Sequence, residues 1–139
     1  MMRFALPFLG MILVTAPALA AEFDELASGQ IDFTMPSGNI GCIYTPEGGT
    51  DNYEPESEGP ELTCDRIDPT YVRITLGGEE AATRLDDVKD ASCCGAENTF
   101  DYGDTWEFDG FTCVSATDGL KCSREDHGFF LSRARVETW

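Results

Sequence analysis

The chain has 139 residues, and 26 Asp and Glu against 9 Lys and Arg give it a formal charge of −17. That excess of acid argues against nucleic acid and anionic membrane surfaces as partners, since both are polyanions gripped through Lys and Arg. The length suits one hydrophobic core.

Met1-Met2-Arg3 opens the chain with one positive charge, Phe4 to Val14 is almost wholly apolar, and the small-residue stretch from Thr15 to Ala20 follows. Ala18 and Ala20 occupy the positions where a signal peptidase accepts only small side chains, so residues 1–20 read as a signal peptide cleaved after Ala20. The apolar run, broken by Pro7 and Gly10, is shorter than the ~20 residues that span a bilayer. No later segment is apolar enough either, and no membrane span is expected. Residues 21–139 are expected to form a single exported domain, periplasmic or secreted. Between Ala21 and Asp65 there are eleven carboxylates and no Lys or Arg, whereas Lys121, Arg124, Arg133 and Arg135 gather near the other end.

Residues 21–29 lack periodicity and are expected to be a loose arm or a short helical turn. Ile31, Phe33 and Met35 then alternate with polar residues, Pro36-Ser-Gly-Asn39 supplies turn chemistry, and Ile40, Cys42 and Tyr44 resume the alternation. This predicts a hairpin with Met35 facing Ile40 and Phe33 facing Cys42. Residues 45–61, rich in Pro, Gly, Asp and Glu around Tyr53, read as an exposed acidic loop. Leu62–Ile67 and Thr70–Leu76 read as strands, and Gly77-Gly78 turns the chain. Residues 79–90 fit either a helix or a returning strand, with the strand favoured. Asp109-Gly110 predicts a two-residue hairpin placing Phe108 opposite Phe111 and Trp106 opposite Cys113. A second turn at Ala116–Gly119 then sets Cys113 opposite Cys122. Gly128 to Trp139 reads as a closing strand. The pattern predicts a mostly β domain with little helix, a small antiparallel sandwich or barrel-like meander.

Six cysteines in an exported chain favour three disulfides over a metal site. Residues opposed on antiparallel strands are close enough to bridge, so Cys113 is expected to pair with Cys122. The pairing of Cys42, Cys64, Cys93 and Cys94 stays open. Neighbours in a strand point to opposite faces, so Cys93 and Cys94 are expected to serve different partners. A vicinal Cys93–Cys94 bond alongside Cys42–Cys64 is the less favoured alternative, since it needs an unusual local geometry.

Phe33-Thr-Met-Pro-Ser-Gly-Asn-Ile-Gly-Cys42, Cys64-Asp-Arg-Ile67, Tyr102-Gly-Asp-Thr-Trp106, Phe111-Thr-Cys113, Gly119-Leu-Lys-Cys122 and His127-Gly-Phe-Phe-Leu-Ser-Arg133 together resemble a bacterial domain-of-unknown-function family of small exported proteins. That family shows a Pro-Ser-Gly-Asn-Ile-Gly-Cys opening and a Gly-His-Gly-Phe closing strand. This chain departs from it in having Asp126 before His127, a long acidic loop before Cys64, and adjacent cysteines. The resemblance implies a bacterial source and an exported β domain, and implies no activity.

His127 is the only histidine, so any imidazole catalysis must use it, with Asp126 or Glu125 beside it to orient the ring. A histidine beside glycine at the head of an aromatic strand reads as structural first. Ser123 and Ser132 lack a nucleophile-elbow sequence. Carboxylates are too many for a glycosidase pair to stand out. Asp51 to Glu58 offers oxygens but not the order of an EF-hand loop, and neither a metal site nor a cofactor is expected. The reading is a non-catalytic binding domain that meets a basic exported protein, or another periplasmic or extracellular ligand, through Tyr53, Glu54, Glu56 and Glu58. The alternatives are a hydrolase dependent on His127 and a calcium-stabilised structural protein.

Overall fold

The computed structural model describes Gly10, residues 12–14 and residues 18–139. Most of the segment read as a signal peptide lies outside the described residues. Leu19–Ala20 form a short strand, β1, and the rest of the chain builds two meanders. The first contains β2 (Ile31–Thr34), β3 (Ile40–Thr45), β4 (Glu61–Arg66), β5 (Val72–Gly77) and β6 (Thr83–Leu85). The second contains β7 (Asp104–Phe108), β8 (Phe111–Ala116), β9 (Gly119–Arg124), β10 (His127–Leu131) and β11 (Val136–Thr138). Each meander runs in chain order with antiparallel neighbours, and β1 pairs in parallel with β7 at the edge of the second. No helix occurs among the described residues. Alternation leaves one apolar face on each sheet, and the two faces close on each other as a sandwich, with β5 packed across β9 and β10. The sheets do not join into a barrel.

The turns sit where their residues demand. Asp109 and Gly110 both take the left-handed backbone conformation, with φ of 47° and 82°, as a type I′ hairpin requires. The register follows: Phe108 faces Phe111 and Trp106 faces Cys113. Phe33 faces Cys42 across the first hairpin, and the Met35 amide donates to the Ile40 carbonyl at 2.9 Å. Asn39 ends that turn and fastens a second loop. Its side-chain oxygen accepts from the Asp68 amide at 2.8 Å and its side-chain nitrogen donates to the Asp68 carbonyl at 3.1 Å.

One half of the core is aromatic. Phe33, Phe100, Trp106 and Phe111 are buried, and Tyr44 meets Trp106 and Phe111 edge-on. The other half is aliphatic, with Leu62, Val72, Ile74, Leu76, Leu120 and Leu131. Each such side chain contributes about 1.5–3 kcal/mol. Two disulfides lie within the same core. Cys113–Cys122 joins directly opposed residues of β8 and β9, as expected, and Cys42–Cys64 does the same for β3 and β4; both have Cα atoms 4.1 Å apart.

Three expectations need correction. Residues 21–29 are not a loose arm, because Phe23 stacks on Phe33 at 4.8 Å and meets Phe100 and Trp106. A single aromatic among polar residues shows no period, yet it fills the open end of the core. Residues 128–139 form two strands: the Ser132 and Arg135 main chains bond to each other, and the Ser132 hydroxyl accepts from the Arg135 amide, turning β10 back as β11. Cys93 and Cys94 bond to each other across a cis peptide. They lie in a loop, where strand alternation does not apply, and the facing of β3 and β4 has already paired Cys42 with Cys64. The 79–90 segment takes the strand alternative, but only over Thr83–Leu85.

The connection between the meanders sets the fold. From β6 the chain crosses the outer face of the first sheet, passes over Arg73 and Gly41, and reaches the free edge of β2. There Thr34 donates to the Asn98 carbonyl and accepts from the Phe100 amide, both at 2.9 Å. Phe100 then enters the core. At the opposite side of the molecule Gly128 lies against Trp139, and a β-carbon there would stand 2.5 Å from the Cys122 carbonyl oxygen and 2.9 Å from the indole. Gly128→Ala is expected to cost about 1–3 kcal/mol through overpacking. Gly95→Ala, where the added carbon meets nothing within 4 Å, is expected to stay within about 0.5 kcal/mol of the parent. Urea unfolding of the two variants checks this.

Candidate functional site

The outer face of the first sheet carries two polar clefts. Loop 46–60 builds the first. Its chain is held by its own main-chain bonds, from Gly49 to Pro46, Thr50 to Tyr53, Glu58 to Pro55 and Gly48 to Glu58. Pro55 is buried beneath it. Tyr53 lays its hydroxyl on Glu61, donating at 2.5 Å, and the Thr63 hydroxyl donates to the same oxygen at 3.1 Å. Glu61 is therefore a buried carboxylate held by two hydroxyls. Glu47, Glu56, Glu58, Glu61, Glu79 and Glu80 line a cleft of about 780 Å³ between this loop and the β5–β6 turn, and no Lys, Arg or His is among its described lining residues. Glu54 is exposed alongside. Sequence reasoning named Tyr53, Glu54, Glu56 and Glu58; the fold adds Glu79 and Glu80 from a distant part of the chain.

The second cleft, of about 280 Å³, lies under the crossing connection and is lined by Cys93, Cys94, Gly41, Thr63, Asp65 and Arg73 among others. Asp65 anchors it. Arg73 donates to both carboxylate oxygens at 2.8 Å, and Tyr71 donates to one of them at 2.5 Å. The Tyr71 oxygen in turn accepts from the Ser92 and Cys93 amides at 3.2 and 3.1 Å, and Arg73 reaches Asp90 at 2.7 Å. Bonding to Asp65 raises the affinity of Arg73 for its proton against the opposing effect of burial. The vicinal disulfide rests on Gly41, where a β-carbon would lie 2.9 Å from the Cys94 sulfur and 3.0 Å from that of Cys93. Sequence reasoning named Cys93 and Cys94, with their mutual bond as the less favoured alternative, but not the Asp65, Arg73 and Tyr71 network. The signal was present, since Asp65 and Arg73 occupy outward positions of adjacent strands and face each other in register.

His127 is not among the lining residues of either cleft. Its Nε2 donates to the Glu79 carbonyl at 2.8 Å, its one side-chain hydrogen bond among the described residues, tying β10 to the β5–β6 turn. Ser132 lies five residues along, roughly 16 Å at strand rise, and its hydroxyl bonds to Arg135. Among the described residues no three His, Cys, Asp or Glu side chains are grouped to hold a metal ion, and no helix is long and apolar enough to cross a membrane.

No family model matches the chain, and neither a curated protein nor a solved structure does.

Three tyrosines donate to carboxylates. Burial, followed by the bond to Glu61, pushes Tyr53 from 10.0 up to about 12. Burial and the bond to Asp109 raise Tyr44, and burial and the bond to Asp65 raise Tyr71. The unfolded chain therefore releases these protons first. Their contribution is fully present below pH 10 and is lost as pH rises through the folded values. The melting temperature is expected to fall between pH 10 and about pH 12, with phenolate absorbance appearing together with unfolding, and Tyr53→Phe should flatten that fall. Tyr71→Phe is expected to cost about 1.5 kcal/mol and to speed hydrogen exchange at the Ser92 and Cys93 amides while leaving β8 and β9 protected. Exchange read by mass spectrometry or NMR checks it.

Proposed function

We propose that this protein is an exported, non-catalytic binding domain whose acidic cleft takes a basic protein segment. The observation that carries the reading is the convergence of Glu47, Glu56, Glu58, Glu61, Glu79 and Glu80 on one concave surface without an opposing base among the described lining residues. Such a surface concentrates field lines, speeds encounter with cations and rejects anionic competitors. The loop that presents it is braced by turn bonds and by Pro55, so little ordering entropy is spent on binding. Export is supported by the charged, apolar and small-residue order of the first 20 residues and by three disulfides, which persist in oxidising compartments. Cleavage after Ala20 would remove β1 and leave the Ala21 nitrogen within reach of the Thr105 carbonyl, its present partner at 2.7 Å. The resemblance to small exported bacterial proteins agrees with a periplasmic or secreted site. A hydrolase built on His127 is less well supported, because the described partner of its ring is a main-chain carbonyl.

The test uses residues 21–139 with a lysine-rich peptide as probe. Glu54→Gln, Glu56→Gln and Glu58→Gln together are expected to weaken binding by about tenfold, equivalent to about 1.4 kcal/mol. An equal change of charge elsewhere, Asp101→Asn, Glu107→Gln and Asp118→Asn, is expected to leave affinity within about twofold. Equal weakening in both sets would show that net charge alone attracts the peptide and would overturn the proposal.

A further inference from the structure

The three disulfides do different work. Cys42–Cys64 and Cys113–Cys122 join residues 22 and 9 apart in sequence, on opposed strands, with every sulfur-bearing residue buried. Each removes loop entropy from the unfolded chain. Cys93–Cys94 joins sequence neighbours, so it closes no loop, and that entropy gain nearly vanishes. Stapling the fold does not account for it.

Its surroundings differ as well. Both residues are half-buried rather than buried and line the 280 Å³ cleft. The backbone around them is fixed by other means: Tyr71 holds the Ser92 and Cys93 amides, Asn98 donates to the Asp32 carbonyl at 2.9 Å, and the missing side chain at Gly41 provides the seat. None of these hydrogen bonds involves the sulfur–sulfur bond. Exposure and access are what make a disulfide exchange with outside thiols, while core bridges are shielded.

We propose that Cys93–Cys94 is a thiol-exchange site for low-molecular-weight thiols. A thiolate enters the cleft and attacks one sulfur, forming a mixed disulfide. The other cysteine leaves as a thiolate and takes a proton from water. A second thiolate then attacks the outer sulfur of the mixed disulfide, leaving as the external disulfide while the second cysteine is protonated. Two external thiols are oxidised, and one protein disulfide is reduced to two thiols. This site is independent of the acidic-cleft reading, since its sulfurs lie outside that cleft's lining.

The experiment treats the folded, oxidised domain with increasing free cysteine under native conditions, alkylates it, and maps the modified residues by mass spectrometry. Cys93 and Cys94 are expected to become alkylated together while the two core bridges stay intact, and added cystine should restore the bond. If the 93–94 bond stays closed until the core bridges open, the proposal fails. A paired Cys93→Ser, Cys94→Ser variant gives a second readout. It is expected to melt close to the parent and to consume no cysteine, whereas Cys113→Ser with Cys122→Ser lowers the melting temperature clearly. Equal losses in the two variants would make the vicinal bond a structural staple and overturn the assignment.

Discussion

The Asp65 carboxylate is the constraint on which the arrangement of the two sheets turns. It projects from the outer face of the first sheet, where an ordinary side chain would be solvated, yet the residue is only 7 % exposed. A charge so placed needs full compensation. Arg73 supplies it through two parallel bonds at 2.8 Å, and Tyr71 adds a third donor. Both partners then grip the connection that covers them, Arg73 through Asp90 and Tyr71 through the Ser92 and Cys93 amides. The path of that connection follows from the ion pair. Because the strap runs over this face and rounds the edge at β2, Phe100 is delivered between the sheets and the second meander begins on the far side of the core.

A domain of this size buries less of its surface than a large one and has little margin. Two features compensate. Opposed disulfides occupy interior positions in each sheet, so the same residues fill core volume and restrict the unfolded chain. Arg66, buried at the end of β4, spans the sandwich by donating to the Ser132 carbonyl at 3.0 Å and the Thr70 carbonyl at 3.0 Å. Burial makes Arg66 hold its proton less tightly than usual. The main-chain oxygens that meet it satisfy polar groups that would otherwise be stranded where two loops enter the core.

Hairpins were legible because their turn residues have few conformational options. Asp109-Gly110 and the Pro36–Asn39 turn set register, and register alone set the Cys113–Cys122 pair. The misread parts share another cause: they depend on contacts between segments that carry no local period. Phe23 is one aromatic in a polar stretch, and only the assembled cluster of Phe33, Phe100 and Trp106 creates its place. Cys93 and Cys94 were judged by strand rules although they lie in a loop whose course is set by Tyr71 and Gly41. Of the candidate site, the acidic loop was visible in composition, whereas Glu79 and Glu80 entered it through the pairing of β4 with β5, which sets Gly77 opposite Glu61.

The two clefts are also neighbours, for a reason built into strand geometry. Outward positions on β4 are Glu61, Thr63 and Asp65; the first lines the acidic cleft, while Thr63 and Asp65 line the sulfur cleft. On β5 the outward residues Arg73 and Thr75 divide in the same way. Two residues of strand span roughly 7 Å, and the Thr63 hydroxyl already bridges the boundary by donating to Glu61. The two clefts therefore belong to one face of the molecule.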